Sequence, residues 1–215
     1  MVVNMEYLDI YDENGNYIGK EQRDAVHKNA LWHKTVHCWL YDKDGNVYFQ
    51  KRADEGTLYT TASGHLRAGE SVREAFGREI KEEIGCIIDH EKAQMVGIVK
   101  FTMDKIKKDG SIFKDRVFAN VYVCEFNEDI NVFNFDFNEV SALVLVSAKE
   151  VLKLFKKGNG SINGKIIINN NNVNIEKKIN VGFEDFLVNE GETAIGKYGD
   201  VLNKIIELTL KNDKQ

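Results

Sequence analysis

Three carboxylates stand close together in the 215-residue chain. Glu79, Glu82 and Glu83 lie at i, i+3 and i+4 within the stretch GHLRAGESVREAFGREIKEEIGC, residues Gly64 to Cys86. At ~100° per residue in an α-helix, Val72, Ala75, Phe76 and Ile80 share one broad face, and the three acids continue that stripe. Glu74, Arg78 and Lys81 fall on the far side. Acids that follow an apolar stripe face the protein body, where an unpaired charge is costly. Something positive must meet them. Hard oxygen ligands at this density suit Mg²⁺ or Mn²⁺, with phosphate oxygens and water completing the shell. The bland alternative is a solvated acidic helix end, which spacing alone does not exclude.

The helix carries its own punctuation. Ser71 with Glu74 three residues on makes a capping box, and Gly85 is a natural stop. Upstream, residues 5–26 read as a hairpin around Asn14-Gly15, and TVHCWLYD with NVYFQKR reads as a second around Lys43-Asp44-Gly45. Val36, Cys38 and Leu40 alternate there with His37, Trp39 and Tyr41. Downstream, MVGIVKFTM and RVFANVYVCEF are strand-like and joined by the charged loop Asp104 to Asp115. Glu139-Val140-Ser141 opens another strand, and SAKEVLKLFKK follows as a short helix capped by Ser147 with Glu150. From Gly158 the chain turns rich in Asn, Gly and Ile, either a hairpin with a long polar turn or a loose insertion. Val201, Ile205 and Leu208 at helical spacing predict a packed closing helix. Two units are expected: a domain over 1–157, and a C-terminal extension over 158–215.

Hydrophobic content of 43% fits a globular protein, and a net charge of −5 argues against a duplex nucleic-acid surface. It does not argue against anionic substrates, since a bound divalent ion reverses the local sign. Cys38, Cys86 and Cys124 are widely spaced and odd in number, so free thiols and a cytoplasmic location are expected. The N-terminal residues lack the pattern of a signal peptide, and no run has the length to cross a membrane.

Gly64, five spacers, Glu70, seven spacers and then Arg78-Glu79-Ile80-x-Glu82-Glu83-x-Gly85 resembles the Nudix box; only Cys86 departs, where that family prefers an aliphatic residue. The resemblance implies an α/β/α sandwich around a mixed sheet. It also implies hydrolysis of a diphosphate linkage, often in a nucleoside diphosphate joined to another group. Mg²⁺, with Mn²⁺ as a substitute, is the implied cofactor. Carried over by position, Glu79, Glu82 and Glu83 hold the metal and Arg78 orients them. Gly64 lets the loop approach the helix, and Arg52, Gly64 and His65 are the implied substrate contacts. Specificity is expected on the loops Arg52–Tyr59 and Asp104–Asp115, where Tyr59, Phe101 and Phe113 could stack on a base or sugar. Many relatives pair as dimers, which leaves a homodimer open.

A finer similarity covers roughly residues 5–155. His27, His33-Lys34, Gln50-Lys51-Arg52 and Gly64-His65 resemble the Nudix hydrolases grouped with isopentenyl-diphosphate isomerase. Histidines at matching positions in the isomerase help bind metal, so the resemblance admits a second metal site at His27, His33 and His65. The neighbouring Trp32 and Trp39 favour packing and hydrogen bonding for His33 and His37 instead. Two departures matter. The isomerase's catalytic Cys is absent from Thr60-Thr61-Ala62-Ser63, which weighs against isomerisation. Arg116-Val117-Phe118 stands where related hydrolases often have Asn-Glu-Phe, whose Glu can help hold metal, so that ligand is expected from Glu139; Glu79 and Glu139 are the candidates for the general base. An isomerase-like enzyme and a non-catalytic ligand sensor remain the alternatives.

Overall fold

Alternation at a period of two builds the centre of the molecule. The computed structural model describes residues 5–106, 110, 112–170, 173–186 and 192–212. An N-terminal hairpin, β1 (Tyr7–Tyr11) and β2 (Tyr17–Gln22), leads through α1 (Arg23–Lys28) to the long strand β3 (Trp32–Tyr41). Strands β4 (Asn46–Arg52), β5 (Leu58–Tyr59) and β6 (Ala62–His65) precede the box helix α2 (Val72–Ile84). A long antiparallel pair follows, β7 (Gln94–Ile106) and β8 (Ile112–Glu125), and then β9 (Val140–Ser147) and α3 (Ala148–Lys157). The chain ends with β10 (Ser161–Asn170), β11 (Val173–Gly182) and α4 (Glu192–Asn212).

One mixed sheet holds these strands, in the order β11-β10-β9-β4-β3-β1-β2 along its main path. On its other side β3 pairs in parallel with β8, from His33↔Val117 to Tyr41↔Glu125, and it also receives β6 antiparallel. The alternation in β3 sets the layers. Val36, Cys38 and Leu40 pack with Ala75, Phe76, Ile80 and Ile84 of α2. Trp39 and Tyr41 belong to the opposite core, with Val151, Leu154 and Phe155 of α3 and Val201, Leu202 and Ile205 of α4. Helices on both faces make the α/β/α sandwich around a mixed sheet.

The local differences have physical causes. Residues 23–26, expected to end a hairpin strand, begin α1, which turns the chain so that Val26 and His27 are buried. Its six residues are too short for a helical period to show. Ser147 occupies the N-cap of α3 without a side-chain cap bond, so packing of Val151, Leu154 and Phe155 holds that helix. Most of the expected loop from Asp104 to Asp115 is strand, because β7 and β8 stay paired out to Ile106↔Ile112; residues 107–109 and 111 lie outside the described residues. The Asn-rich stretch is a hairpin, β10 with β11, docked on β9 through Lys165↔Leu145 to Ile167↔Leu143. Residues 171–172 of its Asn run lie outside the described residues.

Val201, Leu202 and Ile205 are almost wholly buried in the core that Trp39 and Phe49 share. A chain ending at Lys157 is therefore expected to aggregate or to melt far below the full chain, because it uncovers that apolar face. Ile205→Ala should cost about 2–5 kcal/mol. A melting temperature for the truncated chain equal to that of the full chain would show that the extension carries none of the stability.

Candidate active site

The box helix is fixed at both ends. Glu74 N donates to Ser71 Oγ at 3.3 Å while Glu74 Oε2 accepts from Ser71 N at 2.9 Å. Gly85 ends the helix at φ +73°, and a Cβ there would lie 2.5 Å from the Asn134 carbonyl oxygen. Between these caps the helix lies hard against β6. A Cβ on Gly64 would stand 2.1 Å from the Glu79 carboxyl carbon, so no other residue fits beside that acid. Glu79 and Glu83 are only 8% and 6% exposed. Glu83 Oε2 accepts from the Ser63 backbone N–H at 2.9 Å, and the Gln50 amide stands 3.4 Å away.

Two expectations about this helix are corrected. Glu82 was placed with the inward acids, but it lies at the stripe's edge, 50% exposed, paired with Arg67 at 3.3 Å and Arg78 at 3.0 Å. Arg78 was placed on the far side, yet its long side chain folds back beneath the acids. Its guanidinium donates to Glu70 at 2.7 and 2.8 Å, to Glu79 at 2.6 Å and to the His65 carbonyl at 2.9 Å. Helix angle locates a Cα; it does not say where a flexible side chain ends.

The electrostatics are unbalanced. Burial pushes the Glu79 carboxyl up, against the pull of Arg78. Burial pushes Glu83 well above the usual carboxylate range, with Glu79 and Glu139 adding to it and the Ser63 N–H opposing. Burial alone would lower Arg78, but Glu70 and Glu79 outweigh it and raise the guanidinium. Among the described residues no basic side chain lies within ion-pair distance of Glu83. A buried carboxylate with spare lone pairs and no cation fits a divalent ion as its partner.

Arg52 and Glu139 are brought to this site. Arg52, held to Asp54 at 3.2 Å, acts on Glu83 as the favourable charge. Glu139 lies exposed on the turn before β9, where Asp136 N donates to the Glu83 carbonyl at 3.0 Å and Ala53 N donates to the Glu139 carbonyl at 2.8 Å. That turn is thus tied to the end of α2 and to the loop after β4, and the Glu139 carboxylate acts on both Glu79 and Glu83.

His65 does something else. Its ring joins His27, His33 and Asp115 in a cluster whose ligand atoms all lie within 4.8 Å of one another. His27 Nε2 is 3.2 Å from His65 Nε2, and Asp115 Oδ1 is 3.2 Å from His33 Nε2 and 3.7 Å from His27 Nε2. His27 Nδ1 donates to the Arg23 carbonyl at 2.9 Å and His33 Nδ1 to the Leu31 carbonyl at 3.0 Å. Each proton is thereby fixed on Nδ1, and each Nε2 presents a lone pair to the centre. Burial, helped by His33, pushes both His27 and His65 down, His65 strongly. His33 Nε2 and Asp115 Oδ1 are close but misaligned, and both are buried with no hydrogen bond. In the metal-free chain the Nε2–H of His65 is placed to donate to His27 Nε2, which leaves His33 Nε2 and Asp115 Oδ1 as the unpartnered pair; a cation would replace that hydrogen bond and take all four atoms as ligands.

Asp115 is the residue that sequence reasoning missed. It sits one place before Arg116-Val117-Phe118, the stretch noted for lacking a carboxylate, and the parallel register His33↔Val117 carries it to the histidines. Its only signal was a carboxylate two residues before an expected one, at Val117. The strand β6 joins the two clusters: Ser63 N–H holds Glu83, Gly64 admits Glu79, and His65 gives its carbonyl to Arg78 and its ring to the histidines.

A helix of paired acids packed on a mixed sheet between helical layers defines a class. Residues 31–166, more than half of the chain, match the NUDIX domain, and the chain belongs to the Nudix hydrolase family, enzymes acting on diphosphate-containing substrates with a divalent metal. The chain is 32% identical over 158 residues to an uncharacterised Nudix hydrolase of Clostridium acetobutylicum, covering 69% of this chain and 73% of that one. It is also 32% identical over 85 residues to an isopentenyl-diphosphate Delta-isomerase of Serratia proteamaculans, covering 37% of this chain and 48% of that protein. A crystal structure from Deinococcus radiodurans shares the fold at TM-score 0.53 and 20% identity, over 71% of this chain and 90% of that one.

The raised carboxyl of Glu83 sets a pH dependence. The folded chain keeps the proton above the pH at which the unfolded chain has lost it, so this group's stabilising contribution is greatest at low pH. It is lost as pH rises from the unfolded value through the raised folded one. In metal-free buffer the melting temperature of Glu83→Gln should therefore gain on that of the unmodified chain as pH rises above about 4.5. Saturating Mg²⁺ should shrink the gap. A gap that does not change with pH would mean that Glu83 is not held as a buried acid.

Proposed function

We propose that this chain hydrolyses a diphosphate linkage in a nucleoside diphosphate derivative, using Mg²⁺, or Mn²⁺ in its place, at Glu79, Glu82 and Glu83. The observation that carries the reading is the Glu79–Glu83 pair, buried against β6 with one arginine for several acids. When bound, the metal would neutralise the diphosphate and make a bound water more acidic. The protein's own groups do the rest. Arg78 fixes Glu79, and the Ser63 N–H fixes Glu83, so neither acid must reorganise to meet substrate. Arg52 faces the anionic group. Glu139, on its exposed turn, takes the proton from the attacking water. The half-buried rings of His37, Tyr59 and Phe101 lie nearby and suit a flat group. An isomerase is disfavoured, because Ser63-Gly64 precedes His65 and the three cysteines are all buried, Cys38 opposite Ala62 of β6 included. A ligand sensor is disfavoured because every acid of the box is kept.

A panel of nucleoside diphosphates and their sugar and dinucleotide derivatives, assayed with Mg²⁺ for release of mononucleotide or phosphate, tests the reading. Glu83→Gln should lower turnover by at least ~10²-fold. Glu139→Gln should lower kcat by ~10²-fold with KM nearly unchanged, the mark of an interaction made in the transition state. Full activity in a folded Glu83→Gln protein would overturn the site. Unchanged kcat in Glu139→Gln would pass the base to Glu79 or to the water alone. Rearrangement of an isoprenoid diphosphate would favour the isomerase, and tight binding without turnover the sensor.

The unpartnered His33 Nε2 and Asp115 Oδ1, with the Nε2 atoms of His27 and His65 beside them, favour a second metal, of the borderline divalent transition class rather than Mg²⁺. Protein dialysed against Zn²⁺ or Mn²⁺ and then washed should retain about one equivalent by elemental analysis. His33→Asn and Asp115→Asn should each lose it, while Glu83→Gln keeps it. No retained metal in the unmodified chain would leave the cluster as neutral core histidines.

A further inference from the structure

The part of the chain beyond the box domain reaches the substrate side. Strand β5 is only two residues long. On one edge it pairs with β4, where Tyr59 lies opposite Gln50 and Leu58 opposite Lys51. On the other edge Leu58 makes a parallel bridge to Phe186, from the segment after β11. Phe186 is wedged edge-on against Phe49 at 5.1 Å and Phe155 at 5.0 Å. Beyond it, Tyr198 of α4 stands edge-on to Trp39 at 5.1 Å and perpendicular to Tyr59 at 6.4 Å between ring centres. Tyr59 in turn meets the His37 ring at 5.7 Å.

Tyr59 occupies a particular place. Its hydroxyl is raised by burial and by the carboxylates of Asp115 and Glu83, with Arg52 opposing. Tyr59 stands opposite Gln50, whose amide lies 3.4 Å from Glu83, at the end of the loop that begins at Arg52. A two-residue strand has too few ladder bonds to hold a ring in one position alone. Its second edge and the back of its ring are both covered by the C-terminal extension.

We propose that Tyr198 and Phe186 are positioning residues for the active site: the C-terminal extension sets the place of Tyr59 and the Arg52–Tyr59 loop, and so decides which organic group beside the diphosphate is accepted. The substrate class implied is a diphosphate whose second group is flat enough to lie along an aromatic edge. The kinetic half of this inference rests on the diphosphatase reading; the positional half does not.

Tyr198→Leu keeps apolar volume and removes the ring, Tyr198→Phe keeps the ring, and Phe186→Leu is a second, independent variant. Hydrogen exchange, read without substrate, should be at least ~10-fold faster at the β5 amides in Tyr198→Leu and Phe186→Leu, with α2 unchanged. Tyr198→Phe should match the unmodified chain. On the substrate that the panel identifies, Tyr198→Leu should raise KM ~10-fold or more, hold kcat within ~3-fold and leave Mg²⁺ affinity alone. Unchanged β5 exchange in both variants overturns the inference whatever the activity. Faster exchange with an unchanged KM overturns the selectivity role. If the unmodified chain turns over nothing, the diphosphatase reading fails, and exchange alone then decides the positional half.

Discussion

Two carboxylates buried without a matching number of cations are the constraint around which the rest is arranged. Glu79 and Glu83 sit on the inner face of α2, and burial raises both. Desolvating an acid is tolerable only if hydrogen bonds and a counter-charge are built in advance. The backbone of β6 supplies the first through the Ser63 N–H, and Gly64 supplies the room, since any side chain there would occupy the space of the Glu79 carboxylate. Arg78 supplies part of the second, but it is shared among Glu70, Glu79 and Glu82. The remaining deficit is one that a divalent ion would fill.

The same short strand ties this deficit to a second one. His65 follows Gly64 directly, and its ring turns to a cluster in which backbone carbonyls hold the protons of His27 and His33 on Nδ1 and leave His33 Nε2 and Asp115 Oδ1 without a hydrogen bond. The two clusters differ in chemistry. Carboxylates alone suit a hard, hydrated ion that can share its shell with phosphate, whereas three imidazoles and one carboxylate suit a more tightly held borderline ion. Because Arg78 bonds the His65 carbonyl and also holds Glu79, a shift of β6 at either cluster moves a group at the other.

What was legible in the residues depended on how local the information was. The box helix, its Ser71–Glu74 cap, its Gly85 stop and the burial of Glu79 and Glu83 all follow from spacing within a few turns. Glu82 and Arg78 were misplaced because the helical wheel fixes directions of Cα–Cβ bonds, while ion pairs with Arg67 and Glu70 decide where long side chains end. The histidine cluster was only half visible. Its members come from α1, β3, β6 and β8, and Asp115 joins through a parallel pairing that no local pattern announces. The Asn-rich stretch stayed open between a hairpin and a loose insertion for the same reason: the hairpin is secured by pairing with β9 and by Ile167 in the core, both long-range facts.

The two faces of the sheet divide the labour. The face under α2 carries the acids, and its demands are those of any diphosphate and any divalent ion, which is why a short spacing motif suffices to describe it. The opposite face is closed by α3, α4 and Phe186, and it is there that Trp39, Phe49, Tyr59 and Tyr198 interlock. Tyr59 is where the two faces meet, since it stands opposite Gln50, which reaches toward Glu83, and also touches Tyr198. A motif shared across a family thus sits beside an aromatic wall built by residues outside that motif. The aromatic packing that stabilises the fold on one side then shapes what can approach the acids on the other.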